Sequence, residues 1–429
     1  MCRRLIIISF TWGDVDCNSL ADKFGTPLYV YDESVINSRC NEIEQDFLQK
    51  WDNTFAYYAS KAFSIKYMTR IIKNHGMGLD VVSEGELLTA LHAGFPAEKI
   101  ELHGNAKSFY DINSAVKSGV GRFIIDNIQE LELLAKVSHD NNFVANVLFR
   151  VTPDVKTDTH AHISTGVKGS KFGFPIEGDM LNEAVKFALN DDYINSQGIH
   201  FHVGSQLFEP VSHLEALKKI IKLMLKLKRN LNFITRELNF GGGFGARINP
   251  KIEHVALKNF TDPLMQMLES ECKANDLLRP RAAIESGRWI VSEAGITLYT
   301  VENVKRLPGI LYIAVNGGMS DNPRYALYGA EYEAVNVNNP DGEIYNPEGR
   351  VSIVGKCCES GDILIDDAKI SYTKPGDIIA IYNTGAYNFS MASNYNKLLR
   401  PAVIFANNGE ANLKVERQTY EDLLKGELL

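Results

Sequence analysis

Cysteine is scarce in this 429-residue chain, which contains six. Cys2, Cys17, Cys40, Cys272, Cys357 and Cys358 fall at no spacing that suggests a disulfide framework or a zinc site. That scarcity points to a reducing compartment. A basic surplus is also missing: 45 Lys and Arg stand against 53 Asp and Glu, a net charge of -8. Nucleic acid and an anionic membrane surface are therefore not expected as partners. Long apolar runs are absent too, since nothing approaches the roughly 18 residues of a spanning helix. The run from Leu5 to Phe10 behind Met1-Cys2-Arg3-Arg4 is too short for a signal peptide. What remains is an ordinary globular balance, 45% hydrophobic and 23% charged, in a chain long enough for two domains. A cytoplasmic location is the expectation.

Short apolar runs rich in β-branched and aromatic residues recur at 55–61, 78–83, 100–105, 122–127, 146–153, 198–205, 237–243 and 282–288. Helix-like stretches separate them, for example 84–93, 128–139 and 214–227. Eight such units predict an α/β fold, a (β/α)8 TIM-like barrel. A doubly wound open sheet is the alternative, but it has no reason to stop at eight. Each run begins apolar and ends polar: Lys61, Asp80 with Ser83, His103 with Asn105, Asp126, Arg150, His202 with Ser205, Gly241 to Gly243, and Glu285 with Arg288. In a parallel barrel these ends meet at one face, where barrel active sites lie. After Arg288 the pattern becomes strand-like at 295–304, 309–315, 350–355, 377–382 and 401–406, which predicts a mostly β C-terminal domain, a sandwich or barrel. The expected division is 1–25 joining the β domain, 26–284 as the barrel, and 285–429 as the β domain.

Several of these polar ends suggest chemistry. Burial at the mouth of a strand would depress the amine of Lys61 toward imine-forming reactivity. Gly241-Gly242-Gly243-Phe244-Gly245 follows a strand, and such a turn can offer backbone N–H groups to a phosphate. Ser205 adds a hydroxyl, Glu285 could pair with a protonated pyridine nitrogen, and His202 could stack on a flat ring. No metal is expected. Each residue alone also has an ordinary structural reading: a snorkelling lysine, a tight turn, a core histidine.

Taken together the motifs resemble the diaminopimelate decarboxylases, pyridoxal-phosphate enzymes sharing a barrel with alanine racemase and ornithine decarboxylase. The resemblance runs from Gly25-Thr26-Pro27-Leu28-Tyr29-Val30-Tyr31-Asp32 to Asn394-Tyr395-Asn396. It is carried by Tyr58-Ala59-Ser60-Lys61-Ala62, His103-Gly104-Asn105 with Lys107-Ser108, Ile163-Ser164-Thr165-Gly166, and Ser170-Lys171-Phe172-Gly173. Further on it rests on His202-Val203-Gly204-Ser205-Gln206, the glycine run, Cys358-Glu359-Ser360, and Gly385-Ala386-Tyr387 through Tyr395. It implies that Lys61 forms the Schiff base, that His202 stacks on the cofactor, and that Glu285 meets the ring nitrogen. Ser205, Gly242, Gly243, Gly287, Arg288 and Tyr387 would hold the cofactor, mainly its phosphate. Arg288, Arg324, Tyr328, Glu359 and Tyr387 would bind the substrate. It further implies a homodimer with shared active sites, in which Cys358 and Glu359 cross the interface and Cys358 protonates the α-carbon. The implied reaction converts meso-2,6-diaminopimelate to L-lysine and CO2.

Two positions depart from the family pattern, which usually has Pro where Ser286 and Tyr325 stand. Rival readings are a same-fold decarboxylase of another amino acid (basic, D-, or a carrier-bound glutamyl group), a racemase, and a non-catalytic cofactor-binding homologue. Two arginines in the expected distal pocket suit a carboxylate and argue against a basic substrate. A racemase typically sets an arginine, not a glutamate, at the ring nitrogen, and a non-catalytic homologue would be expected to lose Lys61 or Cys358.

Overall fold

The computed structural model describes residues 10–155, 169–247, 252–345 and 349–428. Of the sequence features above, the segment 163–166 and most of the apolar run near the start lie outside them. The chain divides into two compact units, Arg39–Ala246 with Val255–Trp289 in one, and 10–38, 290–428 and the region of 247–254 in the other.

In the first unit all eight expected strands form: Thr54–Ala59, Gly78–Val81, Ile100–Leu102, Arg122–Ile125, Ala145–Thr152, Ile194–Phe201, Glu237–Asn239 and Arg281–Ser286. Every neighbouring pair is parallel, and Arg281–Ser286 returns to pair with Thr54–Ala59, closing the barrel. Closure excludes the open doubly wound sheet. The strands are buried almost throughout, as a parallel sheet covered by helices requires. The helices begin where the sequence provides caps. Ser83 Oγ accepts from the amide of Glu86 at 3.2 Å, Asn127 Oδ1 from that of Glu130 at 2.9 Å, and Ser108 forms a capping box with Asp111. Ser83 at its strand end thus serves its own helix, as does Asn127 just beyond Asp126.

The second unit is mostly β. Its sheet runs in the order Ile363–Ile365, Arg350–Val354, Ile310–Val315, Gly295–Leu307, Leu28–Asp32, Ala402–Asn407, Glu410–Val415, with Ile378–Ile381 and Ala334–Asn336 branching from Gly295–Leu307. The thirteen-residue strand Gly295–Leu307 links two apolar clusters, one around Val301, Ile313 and Ile353, the other around Val30, Leu298 and Ile404. Residues 26–38 were expected in the barrel. Instead Leu28–Asp32, four of its five residues fully buried hydrophobics, pairs antiparallel with Gly295–Leu307 and parallel with Ala402–Asn407. The first segment of the chain therefore gives this sheet a central strand.

Candidate active site

The first barrel strand ends at Ala59, and Lys61 sits in the 3-10 turn Ser60–Ala62 that follows. The sequence reading made Lys61 the last residue of a buried strand. It is instead exposed between buried Ser60 and Ala62, because the chain turns at Ser60, whose carbonyl accepts from the amide of Phe63 at 3.0 Å. Its positive charge is felt by Asp80, Glu86 and His202.

Glu285, 6% exposed, is the centre of a buried polar cluster. His200 Nε2 lies 2.9 Å and His103 Nε2 3.2 Å from its Oε1, and Asn239 Nδ2 donates to the same oxygen at 2.9 Å. Burial pushes the Glu285 carboxyl up, but the imidazoles of His200 and His103 outweigh it and hold it well below the ordinary carboxylate range. Burial also works against a charged His103, yet Asp80, Glu285 and Glu101 around it raise it to about 10. Burial lowers His200 to about 4, so that ring is neutral at pH 7. His202, further along the same strand direction, is pushed well below its usual value by desolvation and by the charges of Lys61 and Arg150. A neutral, flat imidazole results.

His103, His200 and Glu285 offer ligand atoms within 4.8 Å of one another, a spacing that could hold a metal ion. A ligating histidine must be neutral. A metal here would compete with the proton that the surrounding carboxylates favour on His103.

The glycine turn follows the seventh strand. A Cβ on Gly242 would stand 1.9 Å from the Glu285 carbonyl oxygen, and one on Gly243 2.1 Å from that of Gly204. Only glycine permits this approach of three barrel segments, and Gly243 also has φ +98°, which side chains rarely adopt. The Gly242 amide donates to His202 Nδ1 at 3.2 Å, and its carbonyl lies 2.9 Å from His213 Nε2. Nearby, Arg288 Nη2 lies 3.4 Å from Ser205 Oγ. Gln206 ties the loop after the sixth strand to the glycine segment, exchanging two hydrogen bonds with the backbone of Ala246 at 2.9 and 3.0 Å. Ser286, the departure from the family pattern, ends the eighth strand, and its buried hydroxyl has no partner among the described residues.

In the β unit, Arg324 opens the short helix Arg324–Tyr328; its Nη1 donates to Tyr332 Oη at 3.1 Å and its guanidinium lies 6.0 Å from the Tyr387 ring centroid. Tyr387 has φ +66°. Cys358 and Glu359 are exposed on the turn between Arg350–Val354 and Ile363–Ile365, and the Cys358 amide donates to Asn396 Oδ1 at 2.7 Å. Cys357 is buried, and burial raises its thiol to about 11, so of the two it is the inert one. Tyr328 is 36% exposed at the end of its helix, and Tyr325 is half-buried.

Sequence reasoning missed Glu101, His200 and Asn239. The signal was present as alternation. Glu101 and His103, or His200 and His202, stand two apart in otherwise apolar strands, so each pair points to the same side.

Residues 33–292 match the family model of the pyridoxal-dependent decarboxylase, pyridoxal binding domain. The diaminopimelate decarboxylase of Bacillus subtilis is 42% identical over 417 residues, covering 97% of this chain and 94% of that protein. That of Bacillus methanolicus is 41% identical over 95% of this chain and 94% of its own. The chain belongs to the diaminopimelate decarboxylase family. A crystal structure of a diaminopimelate decarboxylase from M. jannaschii superposes with a TM-score of 0.89 at 33% identity, covering 96% of this chain and 94% of that one. The Helicobacter pylori enzyme complexed with L-lysine gives 0.86 at 28%, over 95% of this chain and 98% of its own.

Members of the diaminopimelate decarboxylase family use pyridoxal phosphate, and the barrel residues fit that group. Lys61 has the amine, Glu285 is an anion for a pyridinium nitrogen, and His202 is a neutral flat ring. The Cβ-free approach at Gly242 and Gly243, beside Ser205 and Arg288, suits a phosphate. Among the described residues no helix is long and apolar enough to cross a membrane.

Proposed function

We propose that this protein decarboxylates meso-2,6-diaminopimelate to L-lysine and CO2, as a cytoplasmic homodimer with shared active sites. The observation that carries the reading is the buried Glu285, whose Oε1 lies within 3.2 Å of His103, His200 and Asn239 within a barrel of this family. Pyridoxal phosphate, when bound, supplies an electron sink for the pair left behind by the departing carboxylate. The protein's own residues do the rest. Lys61 offers the amine that anchors the cofactor covalently. Glu285 accepts from the ring nitrogen and keeps it protonated. His202 would stack on the ring, while Gly242, Gly243, Ser205, Gly287, Arg288 and Tyr387 would hold the phosphate. Arg288, Arg324 and Tyr328 take the distal carboxylate, and Glu359 accepts from the distal ammonium. Cys358, an exposed thiol supplied by the partner subunit, donates the proton that replaces CO2.

The geometry of Arg324 supports its role. Its guanidinium is braced by Tyr332 and lies near the Tyr387 ring, so it is held at a set angle, as bidentate recognition requires. Replacement of Lys61 by Ala tests the assignment. K61A should lose both the visible absorbance of the bound cofactor and all turnover, whereas an enzyme keeping both would contradict the role of Lys61.

A further inference from the structure

Glu101 is the one acidic residue of the third barrel strand, Ile100–Leu102, and its side chain is fully buried. Its Oε1 lies 3.3 Å from His103 Nε2, and its Oε2 accepts from Asn239 Nδ2 at 3.3 Å. Both groups also lie against Glu285: His103 Nε2 at 3.2 Å and Asn239 Nδ2 at 2.9 Å. The amide of Asn239 cannot turn to relieve this, because its Oδ1 accepts from the Gly241 amide at 2.9 Å. Two buried carboxyls therefore share the Asn239 amide as a donor, and His103 Nε2 stands between them at nearly equal distance.

Two carboxylates so close resist being ionised together. The charged and titratable groups facing Glu101 are His103 on its own strand direction, Tyr57 on the first strand, Asp80 on the second, Arg122 on the fourth and Glu285 on the eighth. Only Glu285 has a third close contact, His200 Nε2 at 2.9 Å. That contact breaks the symmetry of the pair in favour of a charge on Glu285 and a proton on Glu101. The electrostatics agree: burial and the charge of Glu285 push Glu101 well above the ordinary range, while Glu285 is held well below it.

We propose that Glu101 is a positioning residue for the decarboxylation: by carrying the proton of the Glu101–Glu285 pair it leaves Glu285 as the anion that faces the cofactor's ring nitrogen, and it braces His103 and Asn239 beneath it. This inference rests on the cofactor reading of Glu285 given above. A protonated acid and an amide have the same shape and charge, so Glu101→Gln, with its carbonyl at the Oε1 position, keeps an oxygen 3.3 Å from His103 Nε2 and 3.5 Å from Asn239 Nδ2, whereas Glu101→Leu removes it. E101Q retains kcat within about threefold, and E101L loses about tenfold or more in kcat with KM little changed, the cost of leaving buried donors unmatched.

Infrared spectroscopy of the full-length protein as purified tests the proton directly. At pH 9, above the values near 7 of buried Glu86 and Asp321, the wild type must show a carboxylic-acid C=O band that E101Q lacks. A wild type without the band, or equal bands in both proteins, overturns the proposal. Should E101Q not fold, 13C-glutamate labelling of the wild type and of Glu130→Gln decides instead, since burial raises the Glu130 carboxyl as well. The band must shift in both; an unshifted band assigns the proton to an aspartate, a band lost in Glu130→Gln assigns it to Glu130, and either overturns the idea. Wild-type protein that binds no cofactor would instead sink the decarboxylase reading, leaving the infrared result to stand or fall by itself.

Discussion

Glu285 makes its contacts to His103, His200 and Asn239 through a single oxygen, Oε1. An anion tethered on one side has its other oxygen to give, which is what recognition of a ring N–H needs. The cation that compensates it is His103, and this has a consequence for stability. The folded-state value of His103, about 10, lies above its ordinary 6.5. Its stabilising contribution is therefore complete below pH 6.5 and is lost as pH rises toward 10. Melting temperatures of His103→Gln measured from pH 6 to 10 should fall less with pH than those of the wild type. Parallel profiles would show that His103 does not hold the charge assigned to it.

At the scale of elements, the site depends on how closely the sixth, seventh and eighth strand ends approach. Gly242 faces the Glu285 carbonyl with no room for a methyl group. Gly242→Ala must shift that strand end, at about 1–3 kcal/mol, and should weaken cofactor binding by about tenfold or more in an absorbance titration. Unchanged affinity would remove the turn from the phosphate site. The eight barrel strands were legible in sequence because each is an apolar run closed by a polar residue. The polar ends, however, had two causes that sequence does not separate: Ser83 caps a helix, whereas Asp80, on the same strand, faces the charge cluster. Leu28–Asp32 was not read as a strand at all. Its partners, Gly295–Leu307 and Ala402–Asn407, lie more than 250 residues away, and pairing at that separation leaves no local mark. Lys61 was read as a lysine buried at a strand end, whereas a turn exposes it.

For the molecule as a whole, the proposed roles of Lys61 and Cys358 would have two chains build each active site. If so, inactive K61A and C358A subunits mixed in equal amounts and allowed to exchange should regain about a quarter of wild-type activity, because half of the dimers are mixed and each has one intact site. No recovery would place both residues in one chain's site. Substrate choice would likewise belong to the proposed assembly, in which the arginines and Glu359 would read the distal end while the barrel does the chemistry. The most direct measurement is product analysis of the purified holoenzyme with meso-2,6-diaminopimelate, ornithine, lysine and arginine offered separately. The account predicts L-lysine and CO2 in equal amounts from diaminopimelate and turnover at least a hundredfold slower, on the order of 3 kcal/mol of discrimination, with the other three. Faster decarboxylation of ornithine, lysine or arginine would contradict it.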